Sequence, residues 1–382
     1  MMSLGLYIHI PFCLQRCLYC DFFTSPLTQE REVIVPSFVD ALIVELEAQA
    51  SLFSGRILHS IFFGGGTPSL LKPREIGFIL EKAYMLFEVD EALEVSLEAN
   101  PETLSLEKIQ GFRDVGVNRI SMGIQALNDD DLVSLGRVHT LEKALKNYET
   151  LRNVGFDNIN LDFIYGRPTQ TLEAWSRELD AIIALDTEHL SLYELTVEQG
   201  TPLQKALEKG EIELPDEDVK LEMYRLVREK LQKGGFQWYE VSNYAKTGYQ
   251  SRHNVDNWRG GEYLGLGAGA HSFGELSTFG SRRQNPRNLS IYLKDPIAAK
   301  WEKRSHEMLY AEALMNGLRL REGLSSKTFE EQYKIPFSEI PLTKLEKLQK
   351  EGYMMRDEER WILSFRGVEL LDSVVSYLVG VE

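Results

Sequence analysis

The chain has 382 residues, 43% of them apolar and 26% charged, with a formal charge of −16. That length suffices for one large core and a smaller satellite, while the acidic balance argues against non-specific binding to nucleic acid or to an anionic membrane surface. No apolar run reaches the length of a bilayer, and no basic-then-apolar signal segment opens the chain, so a cytoplasmic protein without a transmembrane segment is expected.

A strand is predicted near residues 4–10, and directly after it come Cys13-Leu-Gln-Arg-Cys17-Leu-Tyr-Cys20, which hold all three cysteines of the sequence. Unrelated buried cysteines would scatter. Three thiolates on one short loop can hold three irons of a [4Fe–4S] cube and leave the fourth iron open. Zinc normally takes four Cys or His ligands, and His9 is the only near candidate for a fourth. An odd count leaves a thiol over from any disulfide, and free thiols fit a reducing compartment.

A helical pattern from Phe38 to Phe53 precedes an apolar, β-prone run from Ile57 to Phe63. The run ends in Gly64-Gly65-Gly66-Thr67-Pro68. Glycines there let backbone approach a ligand closely, and exposed N–H groups can cradle an anion. Thr67-Pro68 also reads as ordinary helix-start grammar. Further strands are predicted near 93–98, 118–124, 157–164 and 189–195, with helical patterns between them such as Leu141 to Val154. That alternation implies parallel β/α units. Cys13, Gly65, Glu98, Gln125 and Asp162 each follow or close a predicted strand, which gathers them on one rim.

Downstream, Tyr263 to Ser272 is glycine-rich without the spacing of a dinucleotide fingerprint; close packing at the barrel mouth is expected of it. His271 faces either a cavity or a structural partner. Arg282, Arg283 and Arg287 form the one tight basic cluster, either a carboxylate-binding group or a solvated loop. From Ser305 the pattern reads helix, short hairpin, helix, with Asp357-Glu358-Glu359 at the hairpin tip, where phosphate would be repelled.

The runs YIHIPFCLQRCLYCDFF, FFGGGTPS, EANPET, SMGIQ and NLDFIYGRP resemble the radical S-adenosylmethionine (SAM) superfamily. The likeness is to its branch of oxygen-independent coproporphyrinogen III dehydrogenases and HemW-like haem chaperones. It implies an α/β fold, a partial (β/α)6 TIM-like barrel over residues 1–240. A haem-motif and glycine-rich connection over 241–304 follows, then a mostly helical winged-helix-like domain over 305–382. It also implies that SAM chelates the open iron and that one electron from the reduced cluster cleaves it to a deoxyadenosyl radical. By the same resemblance Cys13, Cys17 and Cys20 are the cluster ligands. Tyr7 contacts SAM, Tyr19 packs near the adenine, Gly65, Gly66 and Thr67 receive the methionine amino group, and Glu98 lies near the SAM ribose. Gln125, Arg137 and Asp162 line the cavity. As residues alone, Glu98 and Asp162 also read as caps or charge partners, and Arg137 as a surface ion pair.

Phe22 stands where the dehydrogenases of the branch carry a fourth cysteine, and the loop begins too early for their N-terminal arm. Both features match the chaperones. Arg252-His253-Asn254-Val255-Asp256-Asn257-Trp258 resembles their HNxxYW motif, in which the histidine is implicated in haem ligation; Asn257 replaces its tyrosine. Histidine suits haem iron and a tryptophan suits the macrocycle; an exposed loop histidine is the bland alternative. The resemblance therefore implies a haem chaperone that passes haem to an acceptor hemoprotein, with a reductant such as flavodoxin or ferredoxin. Oxidative decarboxylation of coproporphyrinogen III is the competing expectation.

Overall fold

The computed structural model describes residues 3–27 and 30–380. Six strands carry the barrel: β1 (Ser3–Ile10), β2 (Ile57–Gly65), β3 (Glu88–Ala99), β4 (Arg119–Gln125), β5 (Ile159–Tyr165) and β6 (His189–Glu194). Each pairs in parallel with the next. All six predicted strands are present. One residue face of each packs outward on the helices, as Leu4, Leu6 and Ile8 do against a shared core with Phe38 and Leu42. The alternate residues, among them Tyr7, His9, Ser60, Glu98 and Asp162, face the lumen.

The sheet does not stop at six strands. β7 (Gln237–Glu240) and β8 (Asn243–Ala245) add antiparallel beyond β6. On the other side β9 (Glu262–Leu266) pairs in parallel with β1, and β10 (His271–Gly274), β11 (Ser281–Gln284) and β12 (Trp301–Lys303) continue antiparallel. The order is β12-β11-β10-β9-β1-β2-β3-β4-β5-β6-β8-β7. Its two ends do not pair, so the barrel is partial. The stretch expected as a connection at 241–304 thus supplies five strands to the same sheet.

The glycine run at 265–269 packs closely, as expected. A Cβ on Gly265 would collide with the His271 carbonyl, and one on Gly267 would lie 2.4 Å from the His9 carbonyl. The first helix starts earlier than predicted. It spans Arg31–Ala50 with Pro36 inside it, followed by a single 3₁₀ turn to Phe53. Pro36 sits near its start, where one missing N–H costs only one intrahelical bond. The C-terminal residues form a second core around Leu309, Leu314, Trp361 and Leu378, with a three-stranded sheet against helices. Asp357 and Glu358 do lie at the tip of its hairpin.

Candidate functional site

The loop after β1 reaches over the C-terminal mouth of the barrel, is fastened to two other segments and is tied once to itself. Leu18 N–H donates to the Leu135 carbonyl (3.1 Å), Leu203 N–H to the Leu18 carbonyl (3.0 Å), and Cys20 N–H to the Cys17 carbonyl (3.3 Å). Gly136, at φ +73°, gives Leu18 the space it needs. Cys13, Cys17 and Cys20 are half-buried free thiols. Among the described residues no three His, Cys, Asp or Glu side chains are grouped closely enough to share one metal ion. Burial pushes the Cys13 and Cys20 thiols up, so metal loading must displace their protons.

His9, the one candidate for a fourth ligand, is committed elsewhere. Its Nε2–H donates to the Phe23 carbonyl (3.0 Å), which fixes Nδ1 as the acceptor of the Tyr7 hydroxyl (3.0 Å). Burial, and then Arg287 and His271, lowers its pKa and keeps the ring neutral. His9 therefore aims Tyr7, a role its position in the sequence does not reveal.

The glycine turn corrects one reading. Gly65 N–H donates to Glu98 Oε2 (3.1 Å), Gly66 N–H to the Ile10 carbonyl (2.8 Å) and Thr67 N–H to the Phe12 carbonyl (2.8 Å). These donors are spent on the protein, so the turn is not an anion cradle. The Thr67 hydroxyl stands beside the cluster loop instead, an acceptor that suits a donor such as an amino group. Thr67 Oγ1 also lies 3.6 Å from Cys13 Sγ.

Arg137 is no surface ion pair. Its Nη1 donates to Cys17 Sγ (3.4 Å) and its Nη2 to the Gly123 carbonyl (2.9 Å). Gln125 closes β4 with a φ of +74°, a conformation that costs a non-glycine residue of the order of 1–2 kcal/mol. The turn folds its amide back over Gly123 beside Arg137. Tyr19 packs among Leu135, Ile164 and Leu203, next to Cys17 and Arg137. Deeper in the lumen Asp162 accepts from Asn160 Nδ2 (2.6 Å) and Ser121 Oγ (3.3 Å). Glu98 and Asp162 keep only lumen-facing surface. Burial, and then the neighbouring Asp162, pushes the Glu98 carboxyl up to about 8; burial raises Asp162 as well.

The arrangement is thus three thiols, a cation on one of them, a hydroxyl beside another, and below them two carboxyls that burial makes harder to ionise. The Radical SAM superfamily profile matches residues 7–182, and that of the HemN C-terminal domain matches 305–370. The heme chaperone HemW of Haemophilus influenzae is 33% identical, over 99% of this chain and 98% of its own. That of Bacillus subtilis is 34% identical, over 98% of both. This chain belongs to the HemW family of radical SAM proteins. Coproporphyrinogen III oxidase (HemN) from Escherichia coli shares the fold, with a TM-score of 0.81 at 24% identity, over 98% of this chain and 89% of that one.

The HemW-type motif lies apart from the thiols. His253 belongs to a helix, Arg252–Trp258, that lies across the lower half of the lumen. It is no exposed loop residue. The ring is buried at 3% exposure, hydrogen-bonded through Nδ1 to Ser60 Oγ (2.9 Å) and stacked on Phe62. Glu94 accepts from the Arg252 and His253 N–H groups, and Asp256 pairs with His59. Trp258 already carries the Arg319 guanidinium at 4.3 Å.

The three clustered arginines point three ways. Arg283 is fully buried against Glu45 (2.6 Å), Arg287 donates to the Asp21 carbonyl (3.0 Å), and Arg282 turns toward Glu312 (2.7 Å). His271 is exposed at the start of β10. Ser60 and Glu94 are neighbours of the motif helix that no local motif announces.

Proposed function

We propose that this chain is a cytoplasmic haem chaperone that holds a [4Fe–4S] cluster on Cys13, Cys17 and Cys20, binds SAM, and passes haem to an acceptor hemoprotein. The observation that supports it most is the meeting of the three thiols with Thr67 and Arg137 at one barrel mouth, in a chain aligned end to end with HemW relatives. The bound cluster would supply one electron to the SAM sulfonium. The chain's part is to hold the cofactors. Arg137 offsets thiolate charge at Cys17, Gly66 and Thr67 offer acceptors to the methionine amino group, and Tyr7, aimed by His9, walls the lumen below. Glu98 braces the glycine turn through the Gly65 N–H. A small reductant of the flavodoxin or ferredoxin kind would serve the half-buried loop.

Haem is the cargo, and His253 is its ligand in this reading. Ser60 Oγ holds Nδ1, so Nε2 is the ring nitrogen left for iron in this reading. Phe22, largely solvent-exposed, gives the cluster loop no fourth thiol.

The test is an anaerobic incubation of the reconstituted protein with SAM, a strong reductant and coproporphyrinogen III, with 5′-deoxyadenosine and protoporphyrinogen measured together. SAM cleavage without tetrapyrrole conversion is expected. Repeated turnover to protoporphyrinogen would replace the chaperone with a decarboxylase. Haem titration then follows in the parent and in His253→Ala, where loss of the Soret shift is expected; an unchanged shift removes His253 as ligand.

A further inference from the structure

A cavity of about 100 Å³ lies between the motif helix, β9 to β11 and the C-terminal domain. It is too small for a macrocycle and large enough for a carboxylate arm. Asn257, Tyr263, Phe279, Arg282, Arg304 and Glu312 line it. Asn257 is one helical turn beyond His253, so the two share a helix face. Tyr263 pairs in register with Gly5, and the His253 ring rests over the same Gly5, where an added Cβ would lie 3.2 Å from it. The cavity wall and the motif histidine are therefore neighbours.

The charge in this cavity is unbalanced. Arg282 Nη2 and Arg304 Nη1 both donate to the same oxygen, Oε2, of Glu312. Two guanidiniums thus share one carboxylate. The other charged lining residues, Glu275 and Lys334, offset each other. Arg282 Nε is buried with no hydrogen-bond partner, a group whose desolvation is compensated only by an acceptor. Arg304 lies over the Phe273 ring, its guanidinium carbon 4.2 Å from the centroid, and is tied to the Phe279 carbonyl (2.9 Å). Two guanidiniums fixed side by side on one carboxylate oxygen offer further N–H donors of the kind that bind a carboxylate.

We propose that this cavity is a carboxylate site in which Arg282 and Arg304 clamp a propionate of the porphyrin handled by the motif helix. The ligand class rests on the haem reading; the clamp rests on the cavity. It assigns Arg282, of the three clustered arginines, to the ligand, and gives the C-terminal domain a share in the site through Glu312.

Fluorescence titration of the full chain with iron-free protoporphyrin IX, which needs no axial histidine, reads the carboxylates alone; its dimethyl ester and haem are the companion probes. The free acid is expected to bind at least tenfold more tightly than the ester. Arg282→Gln should weaken the acid about tenfold and leave the ester unchanged. Glu312→Gln, which releases both guanidiniums, should tighten the acid, and this second variant keeps the test sound if Arg282→Gln folds poorly. Equal binding of acid and ester overturns the proposal, as does acid binding indifferent to both substitutions. Haem that binds the parent without preference for free propionates leaves the chaperone reading standing and removes the clamp. If neither porphyrin nor haem binds, both fall.

Discussion

One methyl group at Gly66 would strike the backbone that carries the cluster loop. A Cβ there lies 2.7 Å from the Phe12 carbonyl oxygen and 2.9 Å from that of Ile10, neither of which can rotate away. Gly66→Ala should cost ~1–3 kcal/mol and lower iron loading, read by thermal melting and by the visible absorbance of reconstituted protein. Gly55→Ala is the control: φ is +77° there, but nothing lies within 4 Å, so it isolates backbone strain from collision. Glu98 carries a pH signature. Its carboxyl is raised from 4.5 to about 8, first by burial and then by Asp162. The folded protein thus keeps a proton that the unfolded chain has lost, and stability falls as pH rises through that window. Cluster-free Glu98→Gln should out-melt the parent by a margin growing by at most ~1.4 kcal/mol per pH unit up to about pH 8. A margin equal at pH 5 and pH 8 would rule out the elevation. At this scale the thiols were legible because their spacing is local. The pairing of Ser60 with His253 was not, because 193 positions separate them and nothing in the sequence marks Ser60.

The motif helix is the element whose state decides how the histidine is used. It is short, capped by Ser251, whose Oγ accepts from Asn254 N–H, and held at its start by Glu94. Its inward face is fixed by Ser60. Ser60→Ala would leave the buried His253 Nδ1 unpaired, at a cost of ~1–3 kcal/mol, so the melting temperature should fall. If His253 is the haem ligand through Nε2, the same substitution should lower haem affinity, because the Ser60 bond on Nδ1 sets the orientation and tautomer of the ring. Haem affinity left unchanged while stability falls would mean that the ring ligates nothing. The strands around this helix were readable as buried apolar runs at β/α spacing. β7 to β12 were less so: they are three to five residues long, too short for periodicity to speak. The helix at Arg31–Ala50 was read late because Pro36 looks like a boundary until tertiary packing overrides it.

Across the whole molecule, ion pairs join the two cores alongside the apolar contacts of Tyr224, Trp238, Val241 and Phe279. Arg225 and Arg228 both reach Glu369, at 2.9 and 2.8 Å, and Arg319 reaches the fully buried Glu240 at 2.6 Å. Arg321 N–H adds a bond to the Tyr239 carbonyl (2.9 Å). The helix–hairpin–helix order of the C-terminal domain was readable because it is local. Its seat on residues 225–240 was not, because an ion pair 144 positions long leaves no pattern in the sequence. This seat also places Glu312 against Arg282 and Arg304, so domain attachment and the carboxylate cavity are one mechanical problem. Glu369→Ala removes a carboxylate from between two guanidiniums, one of them, Arg228, only 10% exposed. The loss, ~2–3 kcal/mol, falls on the junction and not on either core. Limited proteolysis around residues 295–305 should therefore accelerate several-fold while the cluster-loaded barrel melts as before. Cleavage at the parental rate, with a lowered barrel melting temperature, would mean that these pairs brace the barrel wall and leave the domain held by other contacts.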